Sequence, residues 1–183
     1  MVKIMIPGWV NGELSPVEKL SAHQEGIKHK AVSVFVVRGN QVLLQQRALS
    51  KYHTPGLWAN TCCTHPEWNE SSEHCAVRRL DEELGIKGLV PVYRQQLEYR
   101  ADVGNGLTEH EVVDVFLADV TDPILLAPNP DEVMATRWVT FADLQAEIQR
   151  SPAVFTPWLR IYLHDHARTI FGSELPKLAL SSS

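Results

Sequence analysis

Short runs of apolar, β-branched and aromatic residues, separated by turn residues, recur along the chain and predict strands. The predicted strands are residues 30–37, 42–46, 56–59, 90–101, 111–120 and 133–139. Arg38-Gly39-Asn40-Gln41 separates the first two, which indicates a β-hairpin, and Gly104-Asn105-Gly106 joins the fourth strand to the fifth. The chain is therefore expected to build a sheet.

Helical spacing is clearest between Ser71 and Leu84. Ala76, Leu80 and Leu84 recur every four residues among charged positions, and Gly85 follows where a C-terminal cap belongs. This segment predicts an amphipathic helix.

Two more helices are predicted beyond the strands. Thr140 with Asp143 resembles a capping box that opens a helix to about Arg150. Thr156-Pro157 opens another, with Thr as the cap and Pro at the first helical position, and this helix is expected to end at Phe171. Together these elements predict a mixed α/β (α+β) layout in which a sheet core packs between helices.

The two ends of the chain carry weaker signals. The turn residues of the first segment are Pro7, Gly8 and Pro16, and residues 16–22 are interpreted as a helical turn. The residues after Pro176 are expected to fray.

Composition narrows the class of protein. The chain has 183 residues, 44% of them apolar, and no linker-like run, which predicts one domain spanning residues 1–183. A net charge of -5 argues against a nucleic-acid surface. Three cysteines suit a reducing compartment, and neither a signal peptide nor a membrane-length run is found. A cytoplasmic protein, a monomer or weak homo-oligomer without a membrane partner, is therefore expected.

The candidate chemistry begins at Asn60-Thr61-Cys62-Cys63-Thr64-His65-Pro66. In an extended backbone Cys63 and His65 point to one face, and Cys62 and Thr64 to the other. Cys63 could be a proton donor, an inert buried thiol or a zinc thiolate, although the Cys-x₂₋₄-Cys spacing of zinc sites is missing.

Candidate metal ligands lie in separate segments. Glu109 and Glu111 are two residues apart and should face the same side of a strand, with His110 facing away. His23 and His29 are six residues apart, so they can meet only through an irregular segment, which Gly26 permits. Each histidine alone is more often a surface or hydrogen-bonding residue, and we interpret His53, His74, His164 and His166 as exposed.

The amphipathic helix also resembles a known pattern. Its matching residues are Glu70, Arg78, Glu82, Glu83 and Gly85-Ile86, as in the Nudix motif. Thr64 stands where that motif has its leading glycine, and Arg79 stands in place of a glutamate. The alternative is a solvated helix face on which Glu82 and Glu83 pair with Arg78 and Arg79.

Four separated motifs resemble type 1 isopentenyl-diphosphate isomerases. They are residues 60–66, Tyr99-Arg100-Ala101, Thr108-Glu109-His110-Glu111-Val112 and Phe155-Thr156-Pro157-Trp158, supported by residues 47–51 and Leu57-Trp58. The likeness extends from about Val17 to Trp158. It implies a single Nudix-type domain with an N-terminal extension and a C-terminal helix. The Nudix departures fit, because this family keeps the fold without hydrolysing diphosphates.

The resemblance implies an isomerase that interconverts isopentenyl and dimethylallyl diphosphate. Its implied roles are Cys63 and Glu111 as the two acid/base residues, Tyr99 as a hydrogen-bonding partner of Glu111, and Trp158 as the cover of the developing cation. The implied ligands of one divalent metal, Mn or Zn, are His23, His29, His65, Glu109 and Glu111. Glu83 would hold a Mg²⁺ ion on the diphosphate of the substrate. The implied substrate contacts are Lys19, Arg47, Lys51, Thr64 and Arg79.

Other interpretations stay open on the residues alone. A Nudix hydrolase of another organic diphosphate would need the full carboxylate cluster, which Arg79 interrupts. A non-catalytic Nudix-fold binding module would be expected to lose the acid/base residues, whereas Cys63 and Glu111 are both present. Trp158 could be a core aromatic, and the basic residues could be solvated.

Overall fold

The computed structural model describes residues 3–172, and these form one nine-stranded sheet with helices on both faces. The strands are β1 (Met5–Val10), β2 (Glu13–Glu18), β3 (His29–Arg38), β4 (Gln41–Arg47), β5 (Trp58–Ala59), β6 (Cys62–Thr64), β7 (Val92–Gly104), β8 (Leu107–Asp119) and β9 (Val133–Thr140). The helices are α1 (Lys19–Glu25), α2 (Ser72–Leu84), α3 (Phe141–Arg150), α4 (Pro157–Asp165) and α5 (Ala167–Phe171).

β3 is the central strand of the sheet. It pairs in parallel with β8 from His29↔Glu111 to Val37↔Asp119, and antiparallel with β6. The β3–β4 and β7–β8 hairpins confirm the predicted turns at residues 38–41 and 104–106. Because β3 is covered on both faces, its run of valines is almost continuously buried, as in strands of parallel sheets.

Two apolar clusters fill the space between the sheet and its helices. On one face, Phe35, Leu44 and Val113 pack with residues of α3, α4 and α5. On the other, Val34 and Leu43 pack against α2. This arrangement confirms the predicted sheet core between helices.

α2 follows its sequence signals closely. Ser71 Oγ accepts a hydrogen bond from the backbone N–H of His74, and Gly85 ends the helix in the left-handed region with φ +66°. A Cβ atom at position 85 would lie 2.7 Å from the Ala127 Cβ, so glycine is required for space as well as for backbone conformation. The predicted helix is confirmed.

The prediction for residues 1–22 is wrong. Pro7 and Pro16 do not mark turns but are direct partners in the β1–β2 hairpin, whose turn is Asn11-Gly12. Proline has no backbone N–H to donate, and here both prolines occupy one pair of facing residues. Because β2 is also an edge strand, both prolines are tolerated. The helix expected over 16–22 starts only at Lys19.

The C-terminal helix is also shorter than predicted. It divides into α4 and α5 at His166, where φ is -125°. Thr156 precedes α4, but its side chain makes no capping hydrogen bond, and Pro157 fixes the first turn instead. The frayed tail predicted after Pro176 lies outside the described residues.

Candidate active site and metal centre

Three histidine side chains lie close together near the start of β3. His23 lies near the end of α1, His29 begins β3, and His65 follows β6. Gly26, with φ +63°, ends α1 and turns the chain, as the sequence permits. The ring centroids are 4.8 Å apart for His23 and His29, and 5.0 Å apart for His29 and His65.

Backbone carbonyls fix which nitrogen of two rings is free. The Nδ1 atoms of His23 and His29 lie 2.7 and 2.6 Å from the carbonyl oxygens of Lys19 and Ile27. A carbonyl only accepts, so each Nδ1 carries the proton and each Nε2 presents a lone pair. The Nε2 of His23 is buried and has no hydrogen-bond partner, which is typical of a metal ligand.

The atomic spacing also suits an ion. The Nε2 atoms of His29 and His65 are 3.1 Å apart, and the latter is 3.0 Å from Glu111 Oε1. Two donors at right angles, each ~2.1 Å from one ion, would be ~3.0 Å apart. The residues present therefore fit a divalent metal.

Glu109 and Glu111 both point inward from β8, and His110 faces outward and pairs with Glu98. Across the ladder, the Tyr99 hydroxyl lies 2.8 Å from Oε2 of each buried glutamate. The phenol has one proton to donate, so the second contact requires a carboxyl proton.

The pKa values of the two glutamates are shifted in opposite directions. Burial and the neighbouring Glu111 raise the pKa of Glu109 well above its usual range. Burial also acts on Glu111, but the neighbouring imidazoles of His29 and His65 outweigh it and hold the pKa of that carboxyl well below its usual range. Glu109 is therefore the weaker acid of the pair, and Glu111 is the stronger.

The donor atoms form two overlapping groups. One contains His23, His29, His65 and Glu111, and the other contains His23, His53 and Glu109; within each group the atoms lie within 4.8 Å of one another. Sequence reasoning assigned Glu109 to the first set and gave His53 no role.

The prediction that His53 is exposed is wrong. Only 4% of the residue is accessible, and its ring stacks on His23 at 5.3 Å. His53 lies in a loop, where the spacing of apolar residues does not indicate which side chains are buried. In the sequence, only the adjacent aromatic Tyr52 pointed to burial. His74 and His164 are exposed as predicted, and His166 is partly buried.

A pocket with an empty volume of about 370 Å³ opens over these groups. The predicted residues that line it are Lys19, Arg47, Lys51, Cys63, Thr64, His65, Arg79, Glu83, Glu109, Glu111 and Trp158. The structure thus brings most of the predicted site residues to one pocket. His23, His29 and Tyr99 contact this group of residues but do not line the pocket.

Alternation in β6 separates the two adjacent cysteines. Cys62 is buried in the apolar cluster under α2, whereas the half-buried Cys63 faces the pocket. Burial, followed by the nearby Glu111 and Glu109, raises the pKa of the Cys63 thiol well above its usual range. The thiol therefore keeps its proton at neutral pH.

Four cations line the other end of the pocket. Burial, then the charges of Lys51 and Arg79, lowers the pKa of Lys19 to about 8. The buried Arg47 guanidinium lies 5.3 Å from the Trp158 ring centroid, which gives the indole a charged neighbour. Such a concentration of positive charge suits a polyanion.

Carboxylates partly neutralise this cationic end. Glu132, which sequence reasoning missed because it lies in an irregular loop, pairs with Lys51 and with Arg79. Arg79 also donates to Glu83 Oε1 at 2.6 Å, and the Gln45 amide donates to the other oxygen of Glu83 at 2.8 Å.

The other glutamates of the motif, Glu70 and Glu82, form ion pairs outside the pocket. Arg78 donates two hydrogen bonds to Glu70, at 2.6 and 2.7 Å, which ties the preceding loop to α2 outside the pocket. Glu82 pairs with Arg78 and Arg79 on the surface, as the solvated-face interpretation expects. Of the motif glutamates, only Glu83 reaches the pocket.

Most of the chain matches known proteins. The model of the NUDIX domain family matches residues 27–159. The chain is 66% identical over 169 residues to an isopentenyl-diphosphate delta-isomerase of Roseobacter denitrificans, covering 92% of this chain and 96% of that protein. It is 67% identical over 172 residues to the same enzyme of Ruegeria pomeroyi, covering 94% and 96%.

Solved structures support the fold. A MutT NUDIX hydrolase from Burkholderia pseudomallei superposes with a TM-score of 0.57 at 25% identity, covering 74% of this chain and 95% of that one. A Deinococcus radiodurans protein gives a TM-score of 0.62 at 15% identity, covering 80% and 88%. Among residues 3–172, no helix is long and apolar enough to cross a membrane.

Proposed function

Because this chain belongs to the NUDIX domain family and, within it, to the isopentenyl-diphosphate delta-isomerases, we propose that Cys63 and Glu111 carry the two proton transfers of its reaction. The enzyme interconverts isopentenyl and dimethylallyl diphosphate. The observation that carries the residue assignment is that the Cys63 thiol and the Glu111 carboxyl group line one pocket.

The proposed steps balance without a nucleophile. Cys63 donates its proton to the terminal methylene carbon of isopentenyl diphosphate, which leaves a tertiary carbocation. Glu111 then removes a proton from the neighbouring methylene, and the new double bond forms. General acid–base catalysis of this kind contributes ~10²–10⁴-fold to a rate, so the pocket must stabilise the cation as well.

Trp158 supplies that stabilisation. Its ring is buried at the start of α4 and lines the pocket. An aromatic face can contribute ~2 kcal/mol to binding a desolvated cation.

Tyr99 positions the base. Its hydroxyl contacts one oxygen of Glu111, and the other oxygen lies beside His65, so the carboxyl group is held in one orientation. The phenol remains protonated, because burial, Glu109 and Glu111 raise its pKa well above its usual range.

The diphosphate is assigned to the cationic end. Lys19, Arg47, Lys51 and Arg79 would neutralise its charge, with Thr64 as a further contact, and Glu83 would help to hold a Mg²⁺ ion on it. The ion pairs that Glu132 makes with Lys51 and Arg79 are expected to rearrange when the substrate arrives.

A divalent metal is assigned to His23, His29, His65, Glu109 and Glu111. Three imidazoles favour Mn or Zn over a hard cation such as calcium. When bound, the ion would stabilise the ionised form of Glu111 and hold the carboxylates in the dry pocket.

The two-residue mechanism has a direct test. In deuterated water, isopentenyl diphosphate followed by NMR should yield dimethylallyl diphosphate with one deuterium in the newly formed methyl group, because the Cys63 proton exchanges with solvent between turnovers. A product without deuterium in this methyl group would mean that one residue moves both protons, and would overturn the assignment.

The lowered pKa of Lys19 predicts that kcat/KM falls at alkaline pH. Since the pKa of Lys19 is lowered to about 8, the side chain is charged below that pH and loses its charge as the pH rises through it. kcat/KM should be about tenfold lower at pH 9 than at pH 7. Lys19→Arg should remove this limb and the exposed Lys87→Arg should not; an unchanged limb in the first variant would exclude Lys19 as its cause.

We further propose a single domain over residues 1–183 that works in the cytoplasm as a monomer or weak homo-oligomer. The observations that support this are three cysteines without a disulfide and a net charge of -5, which disfavours nucleic acid and anionic membrane surfaces. Its partner is then the small diphosphate substrate alone.

A further inference from the structure

His53 lies beside the proposed metal site without a role in it. Of the proposed ligands, Glu109 is the one that does not fall in the group of His29, His65 and Glu111; its donor oxygen groups with His23 and His53 instead. An ion that takes both His23 and Glu109 as ligands would therefore lie beside a donor atom of His53.

The free nitrogen of His53 is aimed at this position. Its Nδ1 lies 3.1 Å from the Thr54 hydroxyl, and its Nε2 lies 3.7 Å from Glu109 Oε1. The other oxygen of Glu109 is held by Tyr99. A distance of 3.7 Å is too long for a hydrogen bond but suits two atoms that share an ion.

The backbone of the next residue is strained in a way that serves this geometry. Thr54 is buried and has φ +47°, a conformation that β-branched residues rarely adopt. Such strain costs ~1–3 kcal/mol and clusters at functional sites. Here it places the hydroxyl against His53 Nδ1, which leaves Nε2 as the nitrogen that faces Glu109.

The binding pocket and this loop are also connected. The Arg47 guanidinium donates a hydrogen bond to the His53 carbonyl at 3.2 Å. The residue assigned to the diphosphate therefore holds the backbone of His53 in place, and the imidazole stacks on the buried His23 ring rather than facing solvent.

We propose that His53 is a further ligand of the metal ion, through the group of donor atoms that it forms with His23 and Glu109. This inference rests on the proposed metal site and extends it. The task of the ion would then be to hold Glu109 and Glu111 in place. A nitrogen-rich set also selects against Mg²⁺, which prefers oxygen ligands and keeps its waters.

Metal affinity and a spectrum test the proposal without reference to turnover. The parent, His53→Ala, His53→Gln and the control His74→Ala, which changes an exposed histidine of α2, would be titrated with Co²⁺ against a chelator. Loss of a ligand should raise the dissociation constant about 10-fold or more, and the visible absorption bands of bound Co²⁺ should change because its ligand set changes. Thr54→Val, which removes the hydroxyl only, should give a smaller loss.

The outcomes separate the two proposals. A parent that binds no Co²⁺ would overturn the metal site and this inference with it. A parent that binds, with His53→Ala and His53→Gln equal to it in affinity and spectrum, would overturn only the role of His53. If His53→Ala fails to fold, the size-matched His53→Gln decides.

Discussion

Cys63→Ala and Glu111→Gln are each expected to reduce kcat/KM for isopentenyl diphosphate by ~10²–10⁴-fold. Each change removes one of two proton-transfer groups from a reaction that needs both. Their combined effect should be less than the product of the single effects, because the two groups act in one sequence of steps. Turnover followed by NMR in deuterated water measures both the rate and the label.

Two controls separate chemistry from folding. Glu98→Gln changes an exposed glutamate of β7 outside the pocket and should leave the rate unchanged. Cys63→Ser keeps a proton donor of similar size, so it should retain more activity than Cys63→Ala. Wild-type rates in either Cys63→Ala or Glu111→Gln would exclude that residue from the proton transfers.

His23→Ala is expected to lose the bound ion and with it most of the stability that the ion contributes. A ligand present at 1,000 times its dissociation constant stabilises a folded protein by ~4 kcal/mol, and without it buried imidazoles and carboxylates face one another. The melting temperature of the parent should therefore fall on treatment with a chelator and recover with Mn²⁺ or Zn²⁺.

Metal analysis and thermal unfolding check this expectation together. The His23→Ala variant should purify with much less than one ion per chain and should not respond to added metal. His110→Ala, a change on the outer face of the same strand as the two glutamates, should behave as the parent does. Equal metal content in His23→Ala and the parent would remove His23 from the ligand set.

Local signals predicted local structure well. α2 was predictable because Ser71, the four-residue apolar spacing and Gly85 all lie within one short segment. The β3–β4 and β7–β8 hairpins were predictable for the same reason. The β1–β2 hairpin was not, because Pro7 and Pro16 are ordinarily strand breakers and only their pairing with each other makes them tolerable.

The candidate site depended on contacts that sequence distance hides. His29 and Glu111 are neighbours through the parallel pairing of β3 with β8, which no local pattern reports. Resemblance to a family supplied that information for the motif residues. It could not supply His53 or Glu132, which lie in irregular loops and belong to none of the motifs.

The parallel ladder between β3 and β8 also makes the donor set sensitive to strand alignment. His29 stands directly opposite Glu111, and a slip of β8 by one residue would turn both glutamates outward and bring His110 in. A chain paired in the wrong register would thus present a different and weaker set of ligands. Binding of the proposed ion would therefore stabilise the native register of β3 and β8 relative to a shifted one.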